Sequence, residues 1–402
     1  MQKLIYVFNP EHDMALASYS AYYMTPAHIM KMKSDLSILP IWYAENGLND
    51  TFVLTKEDES HFLKEKQILF PKLSSLSVCS NMKGEYYALL PWGWNPALLH
   101  EIEMSDLSLL SLPDSNSLDI VRELSGREYG LKLLSSLNDL DDNATIIAEN
   151  IEKPVAVSLC SINEVHDFIE KYNDVMLKAP WSGSGRGVRR VVSEMSDSDS
   201  GWIQRIIRTQ GAVIGEPYYS KVLDFAMEFV CRDSKAFFSG YSVFDTDSQG
   251  AYKCNILDSD AVLENKISAY VSLSALNEVK QRLVTLISRL YAPRYEGVLG
   301  VDMMICNSSD GYWVHPCVEV NLRMNMGIVA HRFYNQFVSP YSKGEYHIEH
   351  FFEKGDAVEN DNLMREKYPL VIDDSMIESG YMSLTRVEEY TLYQIYVIIS
   401  KK

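Results

Sequence analysis

The first hundred residues alternate short apolar runs with stretches of helical spacing. Leu4–Phe8 and Tyr86–Leu90 read as strands, and Ala27–Leu39 and Pro96–Glu103 as helices. Strands alternating with helices predict an α/β layer with parallel strands. Leu107–Ser117, rich in Leu and Ser and containing Pro113, reads as a boundary. Beyond it, Ser161 and Glu164 have capping-box spacing ahead of Val165, Phe168, Ile169 and Tyr172 at helical intervals. A strand at Val175–Lys178, a loop at Ala179–Gly187 and a strand at Val188–Val192 come next. The Ser/Asp-rich stretch Ser193–Gly201 reads as a solvated loop, and Trp202–Gln210 as a helix closed by Gly211.

From Ala212 the pattern turns to paired strands. Ala212–Glu216 is one strand, and Phe225–Arg232 and Ala236–Phe244 form a hairpin around Asp233, Ser234 and Lys235. Leu276–Tyr291 carries one apolar helical face. Gly297–Cys306 and Tyr312–Asn321 are two further strands joined by Asn307–Gly311. The last sixty or so residues are mixed in pattern. No internal repeat is visible.

Composition narrows the function classes. The 402 residues hold 37 basic and 55 acidic side chains, a formal net charge of −18. That balance argues against a general nucleic-acid surface or an anionic membrane, both of which call for net basic patches. No apolar run reaches the roughly 18 residues of a membrane span, and the N-terminus lacks the pattern of a signal peptide. The six cysteines contain no CxxC pair. They read as reduced, buried thiols in a cytoplasmic protein.

Two segments carry chemistry. In the first, Lys178 ends a strand and the loop Ser182, Gly183, Ser184, Gly185, Arg186, Gly187 follows. Glycines let backbone N–H groups surround phosphate oxygens, and the lysine adds a point charge. The loop has neither the Walker ending nor the dinucleotide fingerprint. An ordinary hairpin loop could carry the same glycines.

The second segment is the strand pair at 297–321. If Asp310 and Gly311 are the central residues of a two-residue turn, Asp302 faces Glu319, and Asn321 shares their side of the sheet. Two carboxylates and a carboxamide are hard oxygen donors that suit magnesium, with nucleotide phosphates completing its shell. A turn centred one residue away is expected to put the acids on opposite faces and leave an ordinary polar patch.

Together these segments resemble the ATP-grasp superfamily, the fold of carboxylate–amine ligases such as D-alanine–D-alanine ligase and glutathione synthetase. The resemblance covers roughly residues 118–334. It implies an N-terminal α/β domain at 1–117, a small lid subdomain at 118–211, a large metal-bearing subdomain at 212–340 and a C-terminal extension at 341–402. Lys178, Ser182, Gly183, Ser184, Gly185 and Gly187 then match the phosphate-binding parts. Glu216 and Tyr218 match the hinge beside the adenine, and Asp302, Glu319 and Asn321 match the metal motif. Arg323 extends that motif as Glu-x-Asn-x-Arg and is implied as catalytic along with Lys178. Asp224 or Glu228 is a candidate for the ribose. Many members have an arginine where this chain has Gly300, and Arg323 or Lys253 is a candidate replacement. The family also commonly places proline directly after the lysine, whereas here Ala179 precedes Pro180.

The resemblance implies an ATP- and magnesium-dependent ligase that joins a carboxylate to an amine through an acyl phosphate. Small-molecule acid and amine substrates are the expected partners, without nucleic acid or membrane, and a homodimer is left open. An ATP-grasp phosphotransferase is one alternative. A nucleotide-binding regulatory protein with little turnover is another, favoured by Gly300. For the substrate, His12 and Asp13 follow the first strand, and Trp92 and Trp94 follow another, where parallel sheets bind ligands. The same residues could serve as a cap and as core packing. Arg186, Arg189 and Arg190 suit either an anionic substrate or a charged strand edge.

Overall fold

The computed structural model describes residues 3–45, 50–81, 83–139, 153–182, 187–246, 252–309 and 311–402. The chain forms two compact units. One comprises Met1–Leu118, Lys253–Asp260 and Met324–Lys402, and the other comprises Asp119–Tyr252 and Ala261–Arg323.

The first unit contains the expected parallel layer. Five strands lie in the order Leu76–Cys79, Asp50–Leu54, Lys3–Val7, Lys83–Pro91, Asp106–Ser111, every neighbouring pair parallel. The winding direction reverses between Lys3–Val7 and Lys83–Pro91, a topological switch point. The stretch Leu107–Ser117 holds the edge strand Asp106–Ser111 and the start of a helix, Ser115–Ser125, and the opening segment of the first unit closes just beyond it at Leu118. Leu107 is buried between exposed Asp106 and Ser108, the period-two pattern of a strand.

The mixed C-terminal region also resolves. Tyr252–Leu257, Ser342–His350, Tyr393–Lys401, Met376–Ser383 and Val371–Asp373 are successive neighbours in one sheet. The pairing is antiparallel. Trp42 joins this region to the N-terminal residues. It is fully buried against Phe70, Phe333 and Phe337, and its indole Nε1 donates to the Leu384 carbonyl at 2.7 Å.

The second unit holds two antiparallel arrangements. The smaller runs Val157–Leu159, Val213–Pro217, Asp174–Lys178, Val188–Val192. Helices Ile162–Tyr172 and Asp197–Gln210 share its core, where Phe168, Ile169 and Ile203 are buried with Val175 and Leu177. Ser161 caps its helix as expected, but Glu164 reaches back to the Cys160 N–H. The full reciprocal capping box is Ser196 with Asp199. The Ser/Asp-rich stretch is therefore largely the first turn of a helix, because those residue types satisfy its free N–H groups.

The larger arrangement runs Gly311–Asn321, Gly297–Ser308, Ser220–Arg232, Lys235–Thr246. Arg232 pairs with Lys235, so Asp233 and Ser234 alone make the turn, both at positive φ (52° and 58°) as a tight hairpin requires. Helix Leu273–Leu290 packs against these strands with its predicted apolar face, including Val279, Leu283, Leu286 and Ile287.

All six cysteines are free. Cys231, Cys254, Cys306 and Cys317 are buried, as expected of most of them, while Cys79 is half-buried and Cys160 is exposed. Among the described residues, no helix is long and apolar enough to cross a membrane.

Trp42→Ala removes a buried indole and orphans the Leu384 carbonyl. We expect a loss of about 3–5 kcal/mol, read as a lower urea midpoint.

Candidate functional site

Lys178 and Glu216 stand on neighbouring antiparallel strands. Met176 is directly opposite Glu216, and Lys178 is opposite Ile214, so the two charged residues are diagonal neighbours on one face. Lys178 Nζ lies 2.6 Å from Glu216 Oε2, and both side chains are buried. Each charge is tolerable there because of the other. His315 sits nearby, fully buried, its ring against Tyr219 and Trp313. Burial, then the Lys178 charge, pushes its imidazole down to about 3, so it is neutral at pH 7.

The glycine loop leaves the sheet directly after Lys178. The Ala179 N–H donates to the Gly187 carbonyl at 2.8 Å and closes the loop base. Any side chain at Gly187 would place its Cβ 2.2 Å from Ser182 Cβ, so this closure demands glycine. Gly183, Ser184, Gly185 and Arg186 lie outside the described residues. The first side of the loop is tied down firmly. Trp181 donates its backbone N–H to Gln210 Oε1 and its indole N–H to the Arg122 carbonyl. A Cβ at Gly126 would stand 3.1 Å from its ring, closer than ordinary van der Waals contact.

The third part is the strand pair carrying the acids. Asp302 pairs with Glu319, and Gly300 with Asn321, as expected, but by a different route. Near the turn, Ser308 pairs with Gly311 and Met304 with His315, one turn position earlier than Asp310–Gly311 would give; Asp310 lies outside the described residues. Continued unbroken, that register would set Asp302 against Cys317. A bulge adds two residues on the second strand, around Pro316, and restores the Asp302–Glu319 pair. Proline has no N–H for the ladder, which makes this a favourable place for the break. The expectation that a turn one residue away would separate the acids is also corrected. Moving a two-residue turn by one position shifts partners by two, and side chains keep their faces.

On that face the groups are wired together. Asn321 Nδ2 donates to Asp302 Oδ2 at 2.9 Å, and Arg323 Nη2 donates to Asn321 Oδ1 at 3.1 Å. Desolvation, followed by the neighbouring Glu319 charge, pushes the Asp302 carboxyl up to about 7. Among the described residues no three His, Cys, Asp or Glu side chains converge as a metal site. The donor set is two carboxylates and one carboxamide, a chemistry that fits a hard cation completed by ligands from a substrate.

Arg127 escaped the sequence reading. It opens helix Arg127–Asp139, and its guanidinium Nη2 lies 2.7 Å from Glu319 Oε1. Its Nη1 donates to the Ala179 carbonyl at 2.5 Å and to Ser182 Oγ at 2.7 Å. One side chain thus connects the loop base to the acid pair. A lone arginine some fifty residues before the loop gives no spacing signal; only the fold reveals it.

The other candidates are placed as follows. Tyr218 is exposed, with the Arg190 guanidinium 3.5 Å over its ring. Arg190 also forms a two-pronged pair with Asp174, and Arg189 pairs with Asp199. Asp224 is held by Lys221 and Thr246. It stands beside Met304 in the register, while Glu228 stands beside Gly300 and is buried. Lys253 is exposed on a strand of the first unit.

In the first unit, His12 is buried beneath Gly93, where a Cβ would meet its ring at 2.5 Å. Asn9 exchanges two hydrogen bonds with the Gly93 backbone. Trp92 is buried edge-on to Phe8, Trp94 packs half-buried on the core, and Asp13 is half-buried in the first helical turn. These residues flank the switch point of the parallel sheet.

No protein-family model and no curated protein matches the chain. Solved structures do. N5-carboxyaminoimidazole synthetase from Staphylococcus aureus, complexed with ADP, superposes with a TM-score of 0.51 at 11% identity, covering 100% of this chain and 93% of that one. Pyruvate carboxylase from Rhizobium etli, with the allosteric activator acetyl coenzyme A, gives 0.50 at 11% identity, covering 100% of this chain and 36% of that longer one. The likeness establishes the fold: the chain has the ATP-grasp fold.

Lys178→Met would leave Glu216 buried without a counter-charge. We expect a loss of about 3–5 kcal/mol in chemical denaturation. Most of it should return in the double variant Lys178→Met/Glu216→Leu.

Proposed function

We propose that this chain is an ATP- and magnesium-dependent ligase that joins a carboxylate to an amine. One observation carries the reading. One guanidinium, that of Arg127, donates to the Ala179 carbonyl and Ser182 Oγ at the base of the glycine loop and pairs with Glu319 of the acid pair. The loop that follows Lys178 and the acid pair therefore lie within reach of one side chain, as a phosphate site and its metal site must. The ADP complex of the Staphylococcus aureus enzyme, which shares this fold, supports a nucleotide there.

The roles follow from the chemistry of each group. Lys178 has three N–H donors; Glu216 takes one and fixes the ammonium, leaving the others for phosphate oxygens. Asp302, Glu319 and Asn321 would hold magnesium, which when bound withdraws charge from the phosphates and lowers the barrier to an anionic nucleophile. A substrate carboxylate oxygen attacks the γ-phosphorus and ADP leaves, giving an acyl phosphate. The amine then attacks the acyl carbon, inorganic phosphate leaves, and the nitrogen loses a proton. Positioning and electrostatics suffice for both steps, so no side-chain nucleophile is required. Arg323, fixed by Asn321, is the proposed cation for the transferred phosphoryl group in place of an arginine at Gly300.

The test is phosphate release from ATP with magnesium across a panel of small acids and amines. Release only when both substrates are present supports the ligase. Transfer to an acid or hydroxyl without an amine would instead mark a phosphotransferase. Tight nucleotide binding with no turnover would mark the regulatory protein that Gly300 favours. Asp302→Asn and Glu319→Gln should each abolish magnesium-dependent turnover while the far-ultraviolet circular dichroism stays unchanged; full activity in both variants would overturn the metal assignment.

A further inference from the structure

We infer that Arg127 is a resident counter-cation of the acid pair that makes divalent-metal binding conditional on the nucleotide. This rests on reading Asp302, Glu319 and Asn321 as the metal face. The charge count comes first. Asp302 and Glu319 carry two negative charges when ionised. Arg127 lies against Glu319, and Arg323 lies against Asn321 and acts on Asp302. Asp224 also acts on Asp302 but carries its own counter-ion in Lys221, so two cations cancel the two anions of the acid pair and a hard dication approaching alone meets a cluster with no net attraction.

The donors are also engaged. Glu319 Oε1 is paired with Arg127, Asn321 Oδ1 accepts from Arg323, and Asp302 Oδ2 accepts from Asn321. All three groups of the metal face therefore have partners from within the unit. Magnesium loses its water reluctantly and is not drawn to a site of this kind unless substrate phosphates supply further negative ligands.

Arg127 is built to stay. Its side chain is only 7% exposed. Its backbone N–H donates to the Pro180 carbonyl, and the other prong of the guanidinium is held by Ala179 and Ser182. A planar fork fixed along one edge cannot swing freely into solvent. A polyphosphate, by contrast, offers the guanidinium a new anion and the dication new ligands at the same moment. Metal and nucleotide should then enter together.

The test uses Mn2+ as the probe on the full chain, by electron paramagnetic resonance or water-proton relaxation, with and without ADP. Wild type should bind Mn2+ well only when ADP is present. Arg127→Gln should bind free Mn2+ at least about tenfold more tightly than wild type, a modest gain for removing one unit charge at this range. Arg127→Lys, which keeps the charge, should resemble wild type. Arg323→Gln reaches the same net charge from the other side and should show a gain in the same direction, which keeps the test decisive should Arg127→Gln fold poorly. Equal affinity of wild type and both glutamine variants for free Mn2+ would overturn the inference while leaving the metal face standing. Failure of wild type to bind Mn2+ even with ADP would overturn the metal face and the inference with it.

Discussion

Two carboxylates on one face of a sheet cannot be desolvated side by side unless positive charge comes to them, and the second unit is arranged around that constraint. Asp302 alone shows its cost, with a carboxyl pushed up to about 7. Arg127 and Arg323 answer it from opposite ends of the cluster, one from a helix start and one from just beyond the strand. The Lys178–Glu216 pair obeys the same rule one layer away, where each charge is buried only because the other is. Charge neutrality is therefore local, pair by pair. The overall −18 of the chain says nothing about it.

How much of this could be read from residues alone differs from part to part. The acid pair was legible because side-chain faces alternate strictly along strands, and that parity survives any register shift of two. The exact pairing came out right although the turn lies one position earlier than expected, because the bulge at Pro316 compensates. A bulge leaves no mark in the hydrophobic pattern, so the compensation could not have been foreseen. The loop after Lys178 was legible as a connection between two strands, while its Gly and Ser suit an ordinary hairpin loop as well as a phosphate cradle. Its anchoring was not: Arg122, Gly126 and Arg127 are ordinary residues at a helix junction until the fold sets them against Trp181 and Ser182.

The first unit shows a different limit. Leu76–Cys79 is a strand of four residues, too short for a period to declare itself. Tyr393–Lys401 is buried along most of its length, so its apolar residues run together instead of alternating. Asp106–Ser111 did alternate, but Leu and Ser in quick succession, followed by Pro113, drew attention to the boundary that falls at Leu118 and not to the edge strand before it. Patterns report how an element is covered, and elements covered on both faces or on neither lose their signature.

The hydrogen bond from Trp42 to Leu384 joins residues 342 positions apart. Its reach bears on the order of events during synthesis. The chain lays down the parallel strands of the first unit, builds the second unit, and only then supplies the helix Met326–Phe337, whose Phe333 and Phe337 lie against Trp42, and the Leu384 carbonyl. Contacts so distant in sequence form slowly, since the intervening chain must be gathered first. Until then the large indole has Phe70 beside it but neither Phe333, Phe337 nor the Leu384 carbonyl, and apolar surface left open over such an interval favours association between unfinished chains.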